Sequence, residues 1–268
     1  GNVGVGREAL QYNTTGDNNV AVGEQALKQN TTADNNTAVG DFALNANTTG
    51  TLNTATGSQS LDANTTGNSN TASGHQALTS NTTADNNTAM GMMAMQTNTT
   101  GANNVAVGYT SLRVSTTASN NVAIGYEAGR SITTSAGNVY MGYRAGRSTT
   151  TSYGSNVAIG QNAFYTNTTG YSQTAVGGQA LFSNTSGIES TALGYEALYS
   201  NTTASKNTAV GHYASRANTT GANNVAVGKN ALSDNTTGGN HTAVGYAALD
   251  SCTTGVNNTA VGSSALVA

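Results

Sequence analysis

The segment NNVAVGEQALKQNTTADNNTAVG, from Asn18 to Gly40, contains nearly the same five-residue motif twice. The pentad Asn19–Gly23 is NVAVG and the pentad Asn36–Gly40 is NTAVG, with AL and NTT between them. The glycine that ends the pentad recurs sixteen times, and every step is 17 residues except one step of 18. A fixed period of this kind is typical of a repeat array. We therefore interpret residues 1–268 as a single continuous array of sixteen coils.

The residue pattern within one repeat predicts a strand. Val20 and Val22 would point to one side of the pentad and Ala21 to the other, as side chains alternate along a strand. A glycine in every copy and a Thr-Thr pair lower the helix propensity of the unit. We predict an all-β fold, a parallel β-solenoid with one coil per 17 residues and about 4.8 Å between coils. One coil cannot bury its apolar side chains alone, so it needs its neighbours.

Residues at equivalent positions of successive coils form a column, and two columns predict the core. One holds Leu in eleven of sixteen copies, which indicates an apolar ladder in which each buried Leu contributes roughly 1.5–3 kcal/mol. The other, two residues before the pentad glycine, holds Ala in fourteen copies. A column restricted to Ala indicates a backbone packed close by. That backbone could belong to another chain or to the far wall of the same coil.

The array is irregular over residues 125–160. Gly129 and Gly146 replace two successive leucines, Tyr140 enters the alanine column, and one residue is added near 152–155. Each missing leucine predicts a weaker local core. A bend or binding feature and tolerated drift of the repeat are both compatible with this pattern.

Composition excludes several classes of protein. Charged residues are 8% of the chain and the net charge is −3, so no nucleic-acid partner is expected. No apolar run approaches membrane-spanning length, and we expect no membrane insertion in this segment. The three histidines, His75, His212 and His241, do not converge, and no Ser-His-Asp or metal-spaced set is present. We predict no catalytic site, no cofactor and no metal.

Two of the pentads resemble sequences of known repeat families. Asn19–Gly23 and Asn121–Gly125 resemble the NSVAIG-type repeats of YadA-like trimeric autotransporter adhesin heads. The unit GYEALYSNTTASKNTAVG, from Gly194 to Gly211, resembles repeats of phage-type and bacterial tail-fibre-domain proteins. The resemblance covers essentially the whole chain and implies a left-handed β-roll that forms a homotrimer. The Asn-Thr-Thr portion is added length relative to the adhesin repeats, and neither family implies a catalytic site here.

These features predict a structural role outside the cell. We expect a non-catalytic fibre segment of an extracellular appendage, either a surface adhesin or a phage-type tail fibre, at a cell surface or on a virion. The expected partner is the chain itself, as a trimer or as an end-to-end filament. The sequence has no polar capping segment at either end, which solenoids normally need, so we expect the array to continue or to stack. The alternative is a glycan-binding module that uses one side of the rod.

The column that follows the leucine position contains a candidate binding strip. Its variability predicts exposure to solvent, and successive coils place three arginines and then three aromatic residues there: Arg113, Arg130, Arg147, Tyr165, Phe182 and Tyr199. At about 4.8 Å between coils, the arginines would repel one another unless anions or carboxylates compensate. The aromatic residues would form a flat platform for sugar rings. An acidic polysaccharide or surface glycan is one ligand hypothesis, and a lateral packing contact is the alternative.

The Asn-Thr-Thr motif matches the acceptor pattern for N-glycosylation. Eleven asparagines fit it: Asn13, Asn30, Asn47, Asn64, Asn81, Asn98, Asn167, Asn184, Asn201, Asn218 and Asn235. The alternative is a threonine ladder on a β-face, with the asparagine shaping the turn. The threonine after this position is constant while the asparagine varies, which favours the alternative.

Overall fold

A computed structural model of the chain describes residues 1–150 and 153–267. The chain divides into two compact units, Gly1–Ala136 and Gly137–Ala268. The strands of the first unit are β1 Val3–Val5, β2 Val20–Val22, β3 Thr37–Val39, β4 Thr54–Thr56, β5 Thr71–Ser73, β6 Thr88–Met90, β7 Val105–Val107 and β8 Val122–Ile124. Those of the second are β9 Val139–Met141, β10 Val157–Ile159, β11 Thr174–Val176, β12 Thr191–Leu193, β13 Thr208–Val210, β14 Val225–Val227, β15 Thr242–Val244 and β16 Thr259–Val261.

Within each unit the strands pair in parallel with the strands of the adjacent coils. In the β2–β3 pair, Val20 lies opposite Thr37 and Ala21 lies opposite Ala38, a shift of one 17-residue repeat. The backbone N–H of Leu27 donates to the carbonyl of Ala43 at 3.0 Å, so each coil also bonds to the next one outside the strand. The predicted all-β parallel solenoid is confirmed, and no helix occurs among the described residues. The predicted insertion near 152–155 falls partly on residue 152, which lies outside the described residues.

The alanine and leucine columns form the core of each coil. Ala21 and Leu27 are both 0% exposed, while the residues on either side of Ala21 point outward. The first coil has Gly4 in the alanine column, and a Cβ atom there would lie 3.5 Å from the Ala9 carbonyl oxygen and 3.8 Å from Leu10 Cδ1. The column is thus restricted to Ala by the far wall of the same coil.

The pentad glycine turns the chain out of the strand where neighbouring coils approach closely. Gly23 has a φ of 136°, a region that residues with a side chain rarely adopt. A Cβ on Gly23 would also lie only 2.5 Å from the carbonyl oxygen of Gly40 in the next coil. The turn continues through left-handed residues, including Leu27 with a φ of 49°, at a cost of about 1–2 kcal/mol per residue. Complete burial of the Leu27 side chain offsets that cost.

The asparagine that begins each pentad connects adjacent coils through its side chain. Asn19 Oδ1 accepts a hydrogen bond from the backbone N–H of Asn36 at 3.0 Å. Asn19 Nδ2 donates to the carbonyl of Ala33 at 2.8 Å. The side chain therefore satisfies backbone groups that have no strand partner, which is why a buried polar residue is tolerated here.

Three residues replace asparagine in this column, and each of them keeps a side-chain hydrogen-bond acceptor for the next coil. Gln173 Oε1 accepts from the N–H of Ser190 at 3.2 Å, and Ser190 Oγ accepts from the N–H of Asn207 at 3.1 Å. His241 Nδ1 lies 3.3 Å from the backbone nitrogen of Asn258. The requirement at this position is a side-chain acceptor for the next coil.

The irregular coils bury other large side chains where leucine is missing. Ile132 and Tyr140 are both 0% exposed, in coils near Gly129 and Gly146 respectively. A Cβ on Gly146 would lie 2.6 Å from Tyr140 Cδ1, so the tyrosine ring occupies that space. Tyr140 thus fills, in this coil, the space that a leucine side chain would otherwise occupy.

Candidate functional site

The three aromatic residues of the predicted strip lie in one column of the second unit, and their rings stack on one another. The ring centroids of Tyr165 and Phe182 are 5.2 Å apart with planes 4° apart. Those of Phe182 and Tyr199 are 5.1 Å apart with planes 10° apart. Each ring therefore covers the face of its neighbour, and the predicted flat platform for sugar rings does not form, since the strip presents ring edges.

Arginine side chains close both ends of this aromatic stack. The Arg147 guanidinium lies 5.7 Å from the centroid of the Tyr165 ring, and that of Arg216 lies 5.5 Å from the centroid of the Tyr199 ring. Cation–π contacts of this length stabilise a guanidinium over an aromatic face. The outer faces of the stack are thus occupied by side chains of the same chain.

The two strip arginines of the first unit also have partners within that unit. Arg113 Nε donates to Gln96 Oε1 at 3.0 Å. Arg130 Nε lies 3.8 Å from a carboxylate oxygen of Glu127, which is 8% exposed. Each of these side chains therefore has a partner within the chain, a neutral amide oxygen for Arg113 and a carboxylate at ion-pair distance for Arg130. The geometry therefore weakens the acidic-glycan hypothesis for this strip.

Sequence reasoning missed Arg216, which is the next member of the same column. It lies 17 residues after Tyr199, so the spacing alone could have identified it. Its Nε donates to Glu196 Oε2 at 2.5 Å, and its guanidinium also lies 5.1 Å from the centroid of the Tyr213 ring. Burial opposes ionisation of Glu196, but the hydrogen bond from Arg216 holds the pKa of this carboxyl below its ordinary value.

A second aromatic column, directly after the pentad glycine, was also missed. In the first unit, the Tyr109 and Tyr126 rings stack with centroids 5.3 Å apart. In the second unit, the ring of Tyr195 stacks on His212 at 5.5 Å, and His212 also contacts Tyr213. Their spacing of 17 residues is the signal that could have revealed them. These rings are more exposed than those of the predicted strip, with Tyr195 at 43%.

The asparagines of the Asn-Thr-Thr motif are buried within hydrogen-bonded ladders. Ten of the eleven are 0% exposed, and only Asn13 is partly accessible. Asn30 Nδ2 donates both to Asn13 Oδ1 at 2.8 Å and to the Ala33 carbonyl at 3.0 Å. Asn47 repeats this pattern on Asn30. A glycan on any of the ten buried amides is therefore incompatible with the fold of the coil.

The threonines beside these asparagines form a ladder, the alternative to glycosylation that the sequence favoured. Thr31 Oγ1 donates to the carbonyl of Thr48 at 3.2 Å, and Thr48 Oγ1 donates to that of Thr65 at 3.0 Å. The hydroxyl groups thus extend the bonding between coils. The Asn-Thr-Thr motif serves coil stacking.

The described residues contain no group of three or more His, Cys, Asp and Glu side chains positioned to hold a metal ion. His241 is 1% exposed, and its Nε2 lies 2.7 Å from the Gly255 carbonyl oxygen and 3.9 Å from Cys252 Sγ. No helix within residues 1–150 and 153–267 is long and apolar enough to cross a bilayer.

The fold defines the chain as a β-solenoid repeat protein. No protein-family model matches its sequence, and no curated protein matches it.

Proposed function

We propose that this chain is a structural segment of an extracellular fibre, in a surface adhesin or a phage-type tail fibre. The proposal is supported by the contacts of the most regularly repeated polar residues. The pentad asparagine, the Asn-Thr-Thr asparagine and the threonine after it all bond to the neighbouring coil. Residues repeated in this way contribute to a stiff stack of coils, which is the property that a fibre requires.

The outward side of the strands supports association between copies of the chain. The first and last positions of all sixteen strands are Val, Thr, Ile, Leu, Met or Ser, and none is charged. Val22 is 36% exposed, and Val39, which lies opposite it in the next coil, is 41% exposed. Contiguous exposed apolar surface often marks a protein interface. In this proposal, copies associate through the outward strand face, as a homotrimer at a cell surface or on a virion.

Light scattering after size-exclusion chromatography tests the proposal. The wild-type chain should elute with a mass that is a multiple of 26.8 kDa, and negative-stain images should show filaments. Val39→Asp combined with Val107→Asp places charges on the outward strand face and should reduce the mass to one chain. Thr66→Asp, at an exposed position outside the strands, is the matched control and should leave the mass unchanged. A wild-type chain that stays monomeric at high concentration would contradict the association.

A further inference from the structure

In a regular coil, the amide nitrogen of the Asn-Thr-Thr asparagine connects two buried acceptors. Asn81 Nδ2 donates to Asn64 Oδ1 in the preceding coil at 2.9 Å and to the Ala84 carbonyl at 3.1 Å. The same carbonyl also accepts from Asn70 Nδ2 at 2.8 Å. A side-chain oxygen and a backbone oxygen therefore share one donor in the interior of the stack.

Ser115 takes the place of this asparagine in one coil of the first unit, at a position that is 0% exposed. Its side chain is shorter than that of asparagine and has no amide nitrogen. The two equivalent acceptors are still present, namely Asn98 Oδ1 in the preceding coil and the Ala118 carbonyl, which accepts from Asn104 Nδ2 at 2.8 Å. Asn98 Oδ1 and Ser115 Oγ are both buried without a hydrogen-bond partner. The serine thus removes the donor that the two acceptors share in a regular coil.

The coils around Ser115 keep their regular spacing and do not close over the shorter side chain. The backbone N–H of Thr99 donates to the Thr116 carbonyl at 2.9 Å, the same length as the equivalent bond in a regular coil. The two acceptors also stay together, because a Cβ built on Gly101 would meet both the Ala118 carbonyl oxygen and Asn98 Oδ1, the latter at 2.6 Å. The space of the asparagine amide group therefore remains beside the acceptors.

The chemistry of this space selects a small neutral ligand that can both donate and accept. The two acceptors require two donated hydrogen bonds, and the Ser115 hydroxyl can donate one in return. Ile132, the next member of the column, is 0% exposed and has no polar side-chain atom. A buried water typically has two to four polar partners, and three are present here. A Ca²⁺ ion would need six to eight oxygen ligands, commonly including carboxylates, so the site does not suit it.

We propose that Ser115 creates a binding site for one internal water molecule, which donates to Asn98 Oδ1 and to the Ala118 carbonyl oxygen and accepts from the Ser115 hydroxyl. The water takes over the role of the missing amide nitrogen. It continues the bonding between coils across the position where the first asparagine ladder ends. The site goes beyond the fibre proposal, because it lies within one unit of a single chain and does not require association.

A high-resolution crystal structure of the full chain tests the site directly. It should show a separate density peak about 2.7–2.8 Å from Asn98 Oδ1, the Ala118 carbonyl oxygen and Ser115 Oγ, the usual length of an O–H···O bond. Contacts of about 2.3–2.6 Å would identify a cation and would overturn the proposal. A structure without this peak, in which Asn98 Oδ1 accepts directly from Ser115 Oγ or from the Gly101 N–H, would also overturn it.

Ser115→Asn provides the decisive variant, since it restores the amide group of a regular coil. The added Oδ1 atom has a precedent at Asn235, the last Asn-Thr-Thr asparagine of the second unit, whose Oδ1 accepts from the Gly238 N–H at 3.0 Å. The variant should therefore fold, as circular dichroism would confirm.

The crystal structure of Ser115→Asn should show Nδ2 in place of the water, with bonds to both acceptors. Thr117→Asn, at an exposed position in the same coil, is the matched control and should keep the water. A water that stays between Asn98 Oδ1 and the Ala118 carbonyl in Ser115→Asn, or that leaves in Thr117→Asn, would overturn the site. Light scattering reports on the fibre proposal independently.

Discussion

The ring of Tyr140 occupies the space that a side chain on Gly146 would need. A Cβ atom at Gly146 would lie 2.6 Å from both Cδ1 and Cε1 of Tyr140. Tyr140 stands where other coils have Ala, and Gly146 stands where they have Leu. The phenol oxygen lies 3.3 Å from Asn138 Oδ1 and from Thr149 Oγ1, and burial raises the pKa of the phenol. The two departures from the repeat thus exchange a large and a small side chain across one coil.

This exchange predicts strong coupling between the two positions. Gly146→Leu restores the usual residue but overfills the coil, so it should destabilise the protein by about 1–3 kcal/mol. Tyr140→Ala leaves a cavity and should cost about 3–5 kcal/mol. The double variant recreates the regular coil and should approach wild-type stability, as measured by urea unfolding in a double-mutant cycle. Additive losses in the double variant would contradict the exchange.

The buried asparagine ladder predicts that replacing one asparagine destabilises the protein, because both the amide N–H group and the amide oxygen of that side chain are hydrogen-bonded. Asn64 Nδ2 donates to Asn47 Oδ1 and to the Gly67 carbonyl, and Asn64 Oδ1 accepts from Asn81. Asn64→Leu should destabilise the protein by about 1–3 kcal/mol for each buried partner that it leaves unsatisfied. Asn13→Leu, at the accessible end of the ladder, is the matched control and should cost less. Equal unfolding midpoints for the two variants would rule out the ladder as the cause.

The pentad asparagine predicts a tolerance for other acceptors. Asn87 Oδ1 accepts from the N–H of Asn104 at 3.0 Å. Asn87→Ser keeps an acceptor, as Ser190 does in its own coil, whereas Asn87→Val removes it. Thermal unfolding should show a larger loss for the valine variant, by about 1–3 kcal/mol for the unsatisfied backbone N–H. Equal unfolding midpoints for Asn87→Val and Asn87→Ser would contradict the need for an acceptor at this position.

The inward alanine column predicts opposite outcomes for adjacent substitutions. Ala106 is 0% exposed, so Ala106→Arg places an unpaired charge in the core and should cost about 3–5 kcal/mol. Val107→Arg points outward from the same strand, so it should keep the wild-type circular dichroism spectrum and should cost less stability than Ala106→Arg. A folded, stable Ala106→Arg variant would show that this column is not packed against the far wall.

The Glu196–Arg216 pair predicts a pH dependence of stability. The folded-state pKa of Glu196 is depressed by the hydrogen bond from Arg216, although burial opposes this. Its contribution is therefore present above the ordinary carboxyl pKa of about 4.3 and is lost as pH falls through the lower folded-state value. Below that ordinary value, the wild type should lose more stability than Glu196→Gln. Glu189→Gln, at an exposed pair 4.0 Å from Lys206, should instead follow the wild type in a pH series of thermal scans.

Periodicity was sufficient to predict the coil length, the parallel strands and the buried leucine column. It could not decide what faced the alanine column, because another chain and the far wall impose the same restriction on Ala21. It also placed Phe182 correctly beside Tyr165 and Tyr199 but could not reveal that their rings cover one another. Ring orientation depends on side-chain torsion angles, and those are set by contacts between coils rather than by spacing along the chain.

Each ladder of Asn-Thr-Thr asparagines has a direction, since each amide after the first donates to the asparagine of the coil before it. The first ladder runs from Asn13 to Asn98, where Oδ1 is buried without a partner because Ser115 follows. Within the ladder, every coil presents the same hydrogen-bond donors and acceptors to the next coil that the previous coil presents to it. Removing or duplicating one 17-residue unit between Asn30 and Asn81 therefore rejoins equivalent surfaces. Genetic recombination can therefore change the number of repeats in this region without creating a new interface between coils. At Tyr140 and Gly146, in contrast, a recombination event must keep both residues in the same copy.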